Sequence, residues 1–202
     1  MPDARDEAVP GSGRDLVPGF APETELERAL IGDPELREGL AWGRPRAGHP
    51  EGSVGAHVAD LLGTIERWGA RGELGGERGE RRAELRILAL VHDSLKFRVR
   101  DWLPKIGENH HAMRARRFAE RFVADERLLA TIEQHDRPYA LWRKLGRTGR
   151  LDERGFARML ERIPDLDLFV CFVELDASTP GKKVEPVEWL KGELRRRGRR
   201  AG

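Results

Sequence analysis

Five separate segments of this 202-residue chain carry a histidine or an aspartate on an otherwise apolar stripe. The clearest is RILALVHDSLKF, residues 86–97, in which five consecutive apolar residues lead into His92 and Asp93. Side chains at helical spacing share one face, so each of these polar groups is expected to point into the protein. The inward-facing groups are His57, His92, His111, His135 and Asp176.

The hydrophobic period is helical along most of the chain, with little strict alternation, so the predicted fold class is all-α. Ser53 is expected to cap one helix, and one or two short helices, broken near Asp33-Pro34, are expected within 23–40. Further helices are predicted over 82–95, 110–123, 126–134, 152–162 and 187–196. The segment LFVCFVEL, 168–175, would also suit a buried strand. We favour a helix over 165–176 because no other segment pairs with it.

Composition sets the domain organisation and excludes several classes of protein. Residues 1–22 predict a flexible tail, 23–194 a helical bundle and 195–202 a disordered basic tail. One cysteine, Cys171, excludes an intramolecular disulfide, and residues 1–15 do not resemble a secretion signal, so a cytoplasmic location is expected. A net charge of +2 does not favour a nucleic-acid partner, and no apolar run approaches the roughly 20 residues of a membrane helix.

The inward-facing histidines and aspartates need partners. Burying such groups unpaired would cost about 1–3 kcal/mol each, and more where they are charged. A shared metal ion removes that cost because neutral imidazole and carboxylate are common nitrogen and oxygen ligands. A site without thiolate suits Fe, Mn, Co, Ni or Zn, whereas Ca²⁺ prefers oxygen ligands alone. The sequence therefore predicts a divalent transition metal between core helices.

The ordered set of histidines and aspartates resembles the HD-domain metal-dependent phosphohydrolase superfamily. HDSLK, 92–96, is similar to the HDxxK form of the His-Asp doublet of that family, and GHPEGSVGAHVADLL, 48–62, is similar to its first-histidine segment. The resemblance covers roughly residues 44–183. It implies a helical bundle of the HD-domain type with the metal site between core helices.

The resemblance also implies roles for the residues that match its pattern. It implies two metal ions, with one as the minimum. The ligands would be His57, His92, Asp93 and Asp176 for the first ion, and Asp93, His111 and His135 for the second. A hydroxide activated by metal would attack phosphorus, and Lys96 would stabilise the charge of the phosphate. Asp93, as the bridging ligand, and Lys96 are thus the predicted catalytic residues.

The activity that the resemblance implies is hydrolysis of a nucleotide or another small phosphoester. Basic residues after the doublet and after the last aspartate are expected to bind phosphate, and these are Arg98, Arg100, Lys105, Lys182 and Lys183. His110 lies on an arginine-lined face and is expected to contact substrate, although it could replace His111 as a ligand. The sequence makes no prediction of oligomeric state.

Other interpretations of the same residues stay open at this point. His92 and Asp93 could form a structural hydrogen-bonded pair, and Lys96 could be a salt-bridge partner of Asp93. His111 and His135 could be core or substrate-facing residues beside a single ion. The alternative function is an HD-like module that binds metal, nucleotide or RNA with weak turnover or none, although such a module would not need a complete ligand set.

Overall fold

The structure, a computed structural model, describes residues 16–45, 50, 52–76 and 78–199. Within those ranges the chain is helical and forms no strand, which confirms the all-α prediction. The α-helices are α1 (Glu25–Gly32), α2 (Pro34–Ala41), α3 (Val54–Arg71), α4 (Arg78–Val91), α5 (His111–Ala119), α6 (Glu126–Gln134), α7 (Arg137–Thr148), α8 (Glu153–Glu161), α9 (Leu166–Ala177) and α10 (Glu185–Arg196). None of these helices has both the length and the apolar character needed to cross a membrane.

Local capping signals explain where the first helices begin. The Thr24 hydroxyl accepts from the Glu27 N–H while the Glu27 carboxylate accepts from the Thr24 N–H, a reciprocal cap on α1. Asp33 caps α2, whose first residue is a proline, so the predicted break is confirmed. The Ser53 hydroxyl accepts from the Ala56 N–H at 3.1 Å, which confirms Ser53 as the cap of α3.

Two predicted helices end earlier than expected, and the first is α5, which was predicted over 110–123 and runs from His111 to Ala119. The second is α4, which ends at Val91, and the chain continues in tight turns to a 3₁₀ helix at Lys96–Arg98 instead of reaching residue 95 as α-helix. The N–H of Lys96 donates to the Asp93 carbonyl at 3.1 Å, a three-residue bond that replaces the α-helical pattern.

α7, with Pro138 as its second residue, was not among the predicted helices. The proline stands in the first turn of α7. Backbone N–H groups in a first turn have no acceptor within the helix, so proline loses no helical hydrogen bond there.

Helix α9 lies between two apolar clusters, which is why its segment lacks a polar stripe. Leu168, Phe172 and Leu175 belong to the larger cluster, which includes core residues of α1 to α6. Phe169, Val170 and Val173 belong to the smaller cluster, which α7, α8 and α10 complete. A helix that is buried on both faces is expected to be apolar all round. The helix is therefore the correct choice for the ambiguous segment.

The helices bring their ends together on one side of the bundle. α3 packs along α4, α5 packs on α6, and α9 contacts α3, α4 and α6. α2 runs close over the turn that follows α4. The close approach is at Gly39, where an added Cβ would lie only 1.8 Å from the Ser94 carbonyl oxygen. The predicted metal ligands lie in the first turns of α3 and α5 and at or directly after the ends of α4, α6 and α9.

The packed chain extends beyond the predicted limits of 23 and 194. Val17 and Phe20 are buried in the larger cluster, although two apolar residues are too few to show a period in the sequence. At the other end α10 continues to Arg196, and the Arg197 guanidinium donates to Glu153 at 2.6 Å. Two residues of the predicted N-terminal tail, Val17 and Phe20, are therefore buried, whereas 195–199 are exposed, and 1–15 and 200–202 lie outside the described residues.

A buried ion pair holds α1 against α4, and the same arginine holds the segment before α1. Arg86 and Glu27 are 5% and 1% exposed, and Arg86 Nε donates to Glu27 Oε1 at 2.6 Å. Arg86 also donates to the Ala21 carbonyl at 3.0 Å. A buried pair contributes little net stability as a pair, but removal of one member leaves an uncompensated charge in the interior.

We expect Arg86→Met to lower the free energy of unfolding by about 3 kcal/mol, because Glu27 would stay buried without its cation. The double variant Glu27→Gln/Arg86→Met should recover part of that loss, since no buried charge then remains. Urea unfolding followed by circular dichroism measures both values. A double variant less stable than Arg86→Met alone would contradict the charge-based explanation.

Candidate metal centre

The predicted histidines and aspartates converge on one site. His57, His92 and Asp93 each offer one ligand atom, and these atoms lie within 4.8 Å of one another. His57 stands in the first turn of α3, and the other two residues directly follow α4. Near the end of α9, Asp176 places its Oδ1 3.0 Å from His57 Nε2 and 3.6 Å from His92 Nε2.

Asp93 also belongs to a second group of donors, with His111 and His135, whose ligand atoms again lie within 4.8 Å. His111 Nε2 lies 3.3 Å and His135 Nε2 lies 3.6 Å from Asp93 Oδ1. The two Nε2 atoms are 3.4 Å apart. The carboxylate of Asp93 therefore lies between two sets of imidazoles, a position that suits a shared ligand.

The backbone fixes the tautomer of two of these rings. His92 Nδ1 lies 3.2 Å from the carbonyl oxygens of Leu88 and Ala89, and His135 Nδ1 lies 2.8 Å from that of Ile132. A carbonyl oxygen can only accept, so Nδ1 carries the hydrogen in each ring. A neutral ring then presents the Nε2 lone pair to the site, the orientation that a metal-ligating histidine takes.

Two buried atoms of the doublet have no hydrogen-bond partner among the described residues. They are His92 Nε2 and Asp93 Oδ1. Buried polar atoms are almost always satisfied, so this pair indicates a missing electrophile. A divalent cation between them would accept electron pairs from both. Imidazole and carboxylate donors without a thiolate fit Fe, Mn, Co, Ni or Zn, so the residues present fit the predicted metal.

Two lysines lie against the carboxylates of Asp93, which is buried, and Asp176, which is partly buried. Lys96 forms a short ion pair with Asp93, and Lys182 Nζ donates to both oxygens of Asp176 at 2.8 and 2.9 Å. Burial opposes ionisation of both aspartates, but the nearby lysines and histidines together outweigh burial and hold the pKa of each carboxyl well below its usual range. The salt bridge considered for Lys96 is thus formed.

The same carboxylates act on His92. Burial lowers the pKa of the His92 imidazole, but Asp93 and Asp176 outweigh burial and raise it to about 9. The metal-free ring therefore carries a proton that a metal ion has to displace, since only the neutral ring offers its lone pair.

Asp136 is a site residue that the sequence analysis missed. Its Oδ2 lies 3.1 Å from His111 Nε2. Burial opposes its ionisation, but the hydrogen bond from His111 and the nearby His135 lower the pKa of the Asp136 carboxyl. Because Asp136 follows His135, the chain contains a second His-Asp doublet, and this repeated dipeptide was the available signal.

His110 is placed differently from His111. Its Nδ1 accepts from the Ala112 N–H at 3.2 Å and caps α5, and its ring stacks on that of His111 with centroids 4.6 Å apart. Burial and the neighbouring His111 lower the pKa of His110 to about 4, so the ring is neutral near pH 7. With His111 and Asp136 it forms a third group of donors. His111 is the member of the pair that contacts Asp93.

A cavity of about 380 Å³, the metal-site cavity, opens beside these groups. Three of the predicted basic residues line it, namely Lys96, Lys182 and Lys183. Its acidic and imidazole lining comes from Asp93, His135, Asp136 and Asp176, and its apolar wall includes Pro138, Tyr139, Val173 and Val187. The cavity therefore joins the candidate ligands to three ammonium groups and an aromatic ring.

The other predicted substrate contacts lie away from the metal-site cavity. Arg98 and Arg100 line a separate cavity of about 750 Å³. Lys105 and His110 line a third cavity, of about 400 Å³, and Lys105 is paired with Asp101 at 2.8 Å. The chain turns after Lys96 and carries these residues to other faces, so closeness in sequence to the doublet did not predict closeness in space.

No protein-family model matches this chain, and neither the curated proteins nor the solved structures contain a match. What the structure shows is a helical protein with His/Asp groups that could hold a metal ion.

We expect the metal-free protein to lose stability as the pH rises from 6.5 to about 9. The pKa of His92 is raised from 6.5 to about 9 in the folded state, so its contribution is fully present below 6.5 and disappears through the folded pKa. Thermal unfolding of chelator-treated protein across this range measures the effect. His92→Gln should show a smaller change in Tm over the same range, and an equal change in both proteins would contradict the assignment.

Proposed function

We propose that this chain is a metal-dependent phosphohydrolase of the HD-domain type, which cleaves a nucleotide or another small phosphoester. The observation that carries the proposal is Asp93, a buried carboxylate between two groups of imidazoles. The order of the donors along the chain, from His57 to Asp176, supports it as well. Cytoplasmic location belongs to the same proposal.

The donor groups divide into two ion sites. His57, His92 and Asp176 would hold the first ion together with Asp93, and His111 and His135 would hold the second with the same aspartate. Asp136 adds a carboxylate beside His111. When bound, the ions would lower the pKa of water towards neutrality and offset phosphate charge.

The remaining residues of the cavity act on the phosphate and on the rest of the substrate. Lys96 has its ammonium group at the doublet and can donate to a phosphate oxygen, which stabilises the charge that builds up in the transition state. Lys182 and Lys183 add positive charge to the same cavity. Tyr139, 42% exposed, offers a ring on which a base could stack.

The size of the metal-site cavity favours a small substrate. A volume of about 380 Å³ lies at the lower end of the range for small-ligand sites. We therefore propose a small phosphorylated molecule, such as a nucleotide, and do not favour a nucleic acid as the substrate of this site.

Elemental analysis of the purified protein tests the metal assignment. We expect two ions of Fe, Mn, Co, Ni or Zn per chain, with Asp93→Ala losing both because it removes the shared ligand. His135→Ala should keep one ion, while Asp101→Ala, at an exposed carboxylate outside the site, should keep both. Full metal content in Asp93→Ala would overturn the assignment. No metal after reconstitution with each ion would overturn the enzyme proposal.

A panel of phosphoesters assayed with the metal-loaded protein tests the activity. We expect Lys96→Ala to keep its metal and to lower kcat by about 100-fold, because the lost ammonium group acts on the transition state. Lys144→Ala, whose lysine pairs with Asp152 on the surface, is the matched control and should keep its rate. Bound metal without hydrolysis of any phosphoester would favour the binding module instead.

A further inference from the structure

A second cavity, of about 750 Å³, lies on the other side of the turn that carries the doublet. Asp93 and Lys96 line the metal-site cavity, whereas Leu95 and Phe97 line the second one. Alternate residues of the same short turn therefore face different cavities. We call the second one the arginine cavity, because its lining includes Arg98, Arg100, Arg114, Arg117 and Arg121.

Three of the five arginines are neutralised by carboxylates. The pairs are Arg98 with Glu35 at 3.2 Å, Arg117 with Glu120 at 3.3 Å, and Arg121 with Asp33 at 2.5 Å. Arg100 and Arg114 have no ion pair with any carboxylate of the described residues, and both line the cavity. Among the described residues, the cavity therefore contains two arginines without an ion-pair partner, since its lining carboxylates, Glu35 and Glu108, pair with Arg98 and Arg117.

Arg114 carries the strongest sign of a missing anion. Its Nε is buried and has no hydrogen-bond acceptor among the described residues. The side-chain contact that the structure gives it is a long one, from Nη2 to Asn109 Oδ1 at 3.4 Å. Arg114 as a whole is partly buried, but a buried N–H of a guanidinium group still needs an acceptor to offset its desolvation. An anion with two oxygens in the fork of the guanidinium would satisfy Nε and Nη2 together.

An aromatic ring stands at the edge of the same cavity on a fixed loop. Trp102 is 80% exposed and lines the cavity. Asn109 holds the loop closed, because its Oδ1 accepts from the Arg100 N–H at 2.9 Å and its Nδ2 donates to the carbonyls of Arg100 and Pro104 at 3.0 and 3.1 Å. These hydrogen bonds hold the backbone on either side of Trp102, so the loop that carries the indole is ordered before any ligand arrives.

We propose that the arginine cavity is a second ligand site that binds a nucleotide. Arg100 and Arg114 bind its phosphate groups, and Trp102 stacks on its base. The guanidinium fork matches phosphate oxygens, and stacking of a base on an aromatic ring contributes further affinity. The volume of the cavity suits a small ligand. None of these residues is a candidate metal ligand, so the proposal does not depend on the hydrolase activity.

Isothermal titration calorimetry with adenosine triphosphate, in the presence of a chelator, tests the site without metal or turnover. Arg114→Gln and Trp102→Ala should each weaken binding by about 10-fold or more. Arg100→Gln should do the same, and since its side chain is exposed, this variant does not disturb the core. Arg147→Gln, at an exposed arginine of α7 that lines none of the three cavities, is the matched control and should bind like the parent protein.

Inorganic triphosphate separates the two parts of the proposed site. Its affinity should fall in Arg114→Gln and stay unchanged in Trp102→Ala, because it has no base to stack. No binding of adenosine triphosphate by the parent protein would overturn the proposal. So would a loss of affinity in Lys183→Gln with none in Arg114→Gln, since the nucleotide would then lie in the metal-site cavity. Tighter binding of a single-stranded oligothymidylate than of adenosine triphosphate would overturn the assignment to a small nucleotide.

Discussion

The buried negative charge of Asp93 is the constraint on which the rest of the structure depends. The residue is 3% exposed, and a carboxylate at that depth is tolerated only where its neighbours compensate the charge. Lys96 comes from the turn that follows, while His111 and His135 arrive from α5 and α6. α5 and α6 therefore pack beside the end of α4 through apolar contacts and also through the histidines that they bring to the carboxylate of Asp93.

The sequence was informative where a local signal had one physical solution. A hydroxyl or carboxylate before a helical period caps the helix, so Ser53 and Asp33 predicted helix starts. A polar group on an apolar stripe must find a partner inside, so the convergence of His57, His111 and His135 followed from their helical spacing. These predictions did not require knowledge of how the helices cross.

The sequence was less informative where the outcome depended on the path of the chain through space. The tight turn from His92 to Arg98 sends Arg98 and Arg100 to the far side of the doublet, and no local pattern records that reversal. Val17 is not part of a helical hydrophobic pattern in the sequence, and it is buried by residues of helices that follow it in the chain. Asp136 was missed for a different reason, because its doublet lacks the long apolar run that draws attention to the first one.

Helix α9 has a consequence for how the molecule opens. Its two faces belong to different apolar clusters, so each cluster is incomplete without the same helix. Transient opening of the smaller cluster leaves α9 held by the larger one, and the reverse also holds, so α9 itself is released only when both clusters open. Asp176, near the end of α9, is thereby anchored to the part of the protein that opens only when both clusters open together, and the donor set keeps its shape through the smaller fluctuations of the fold.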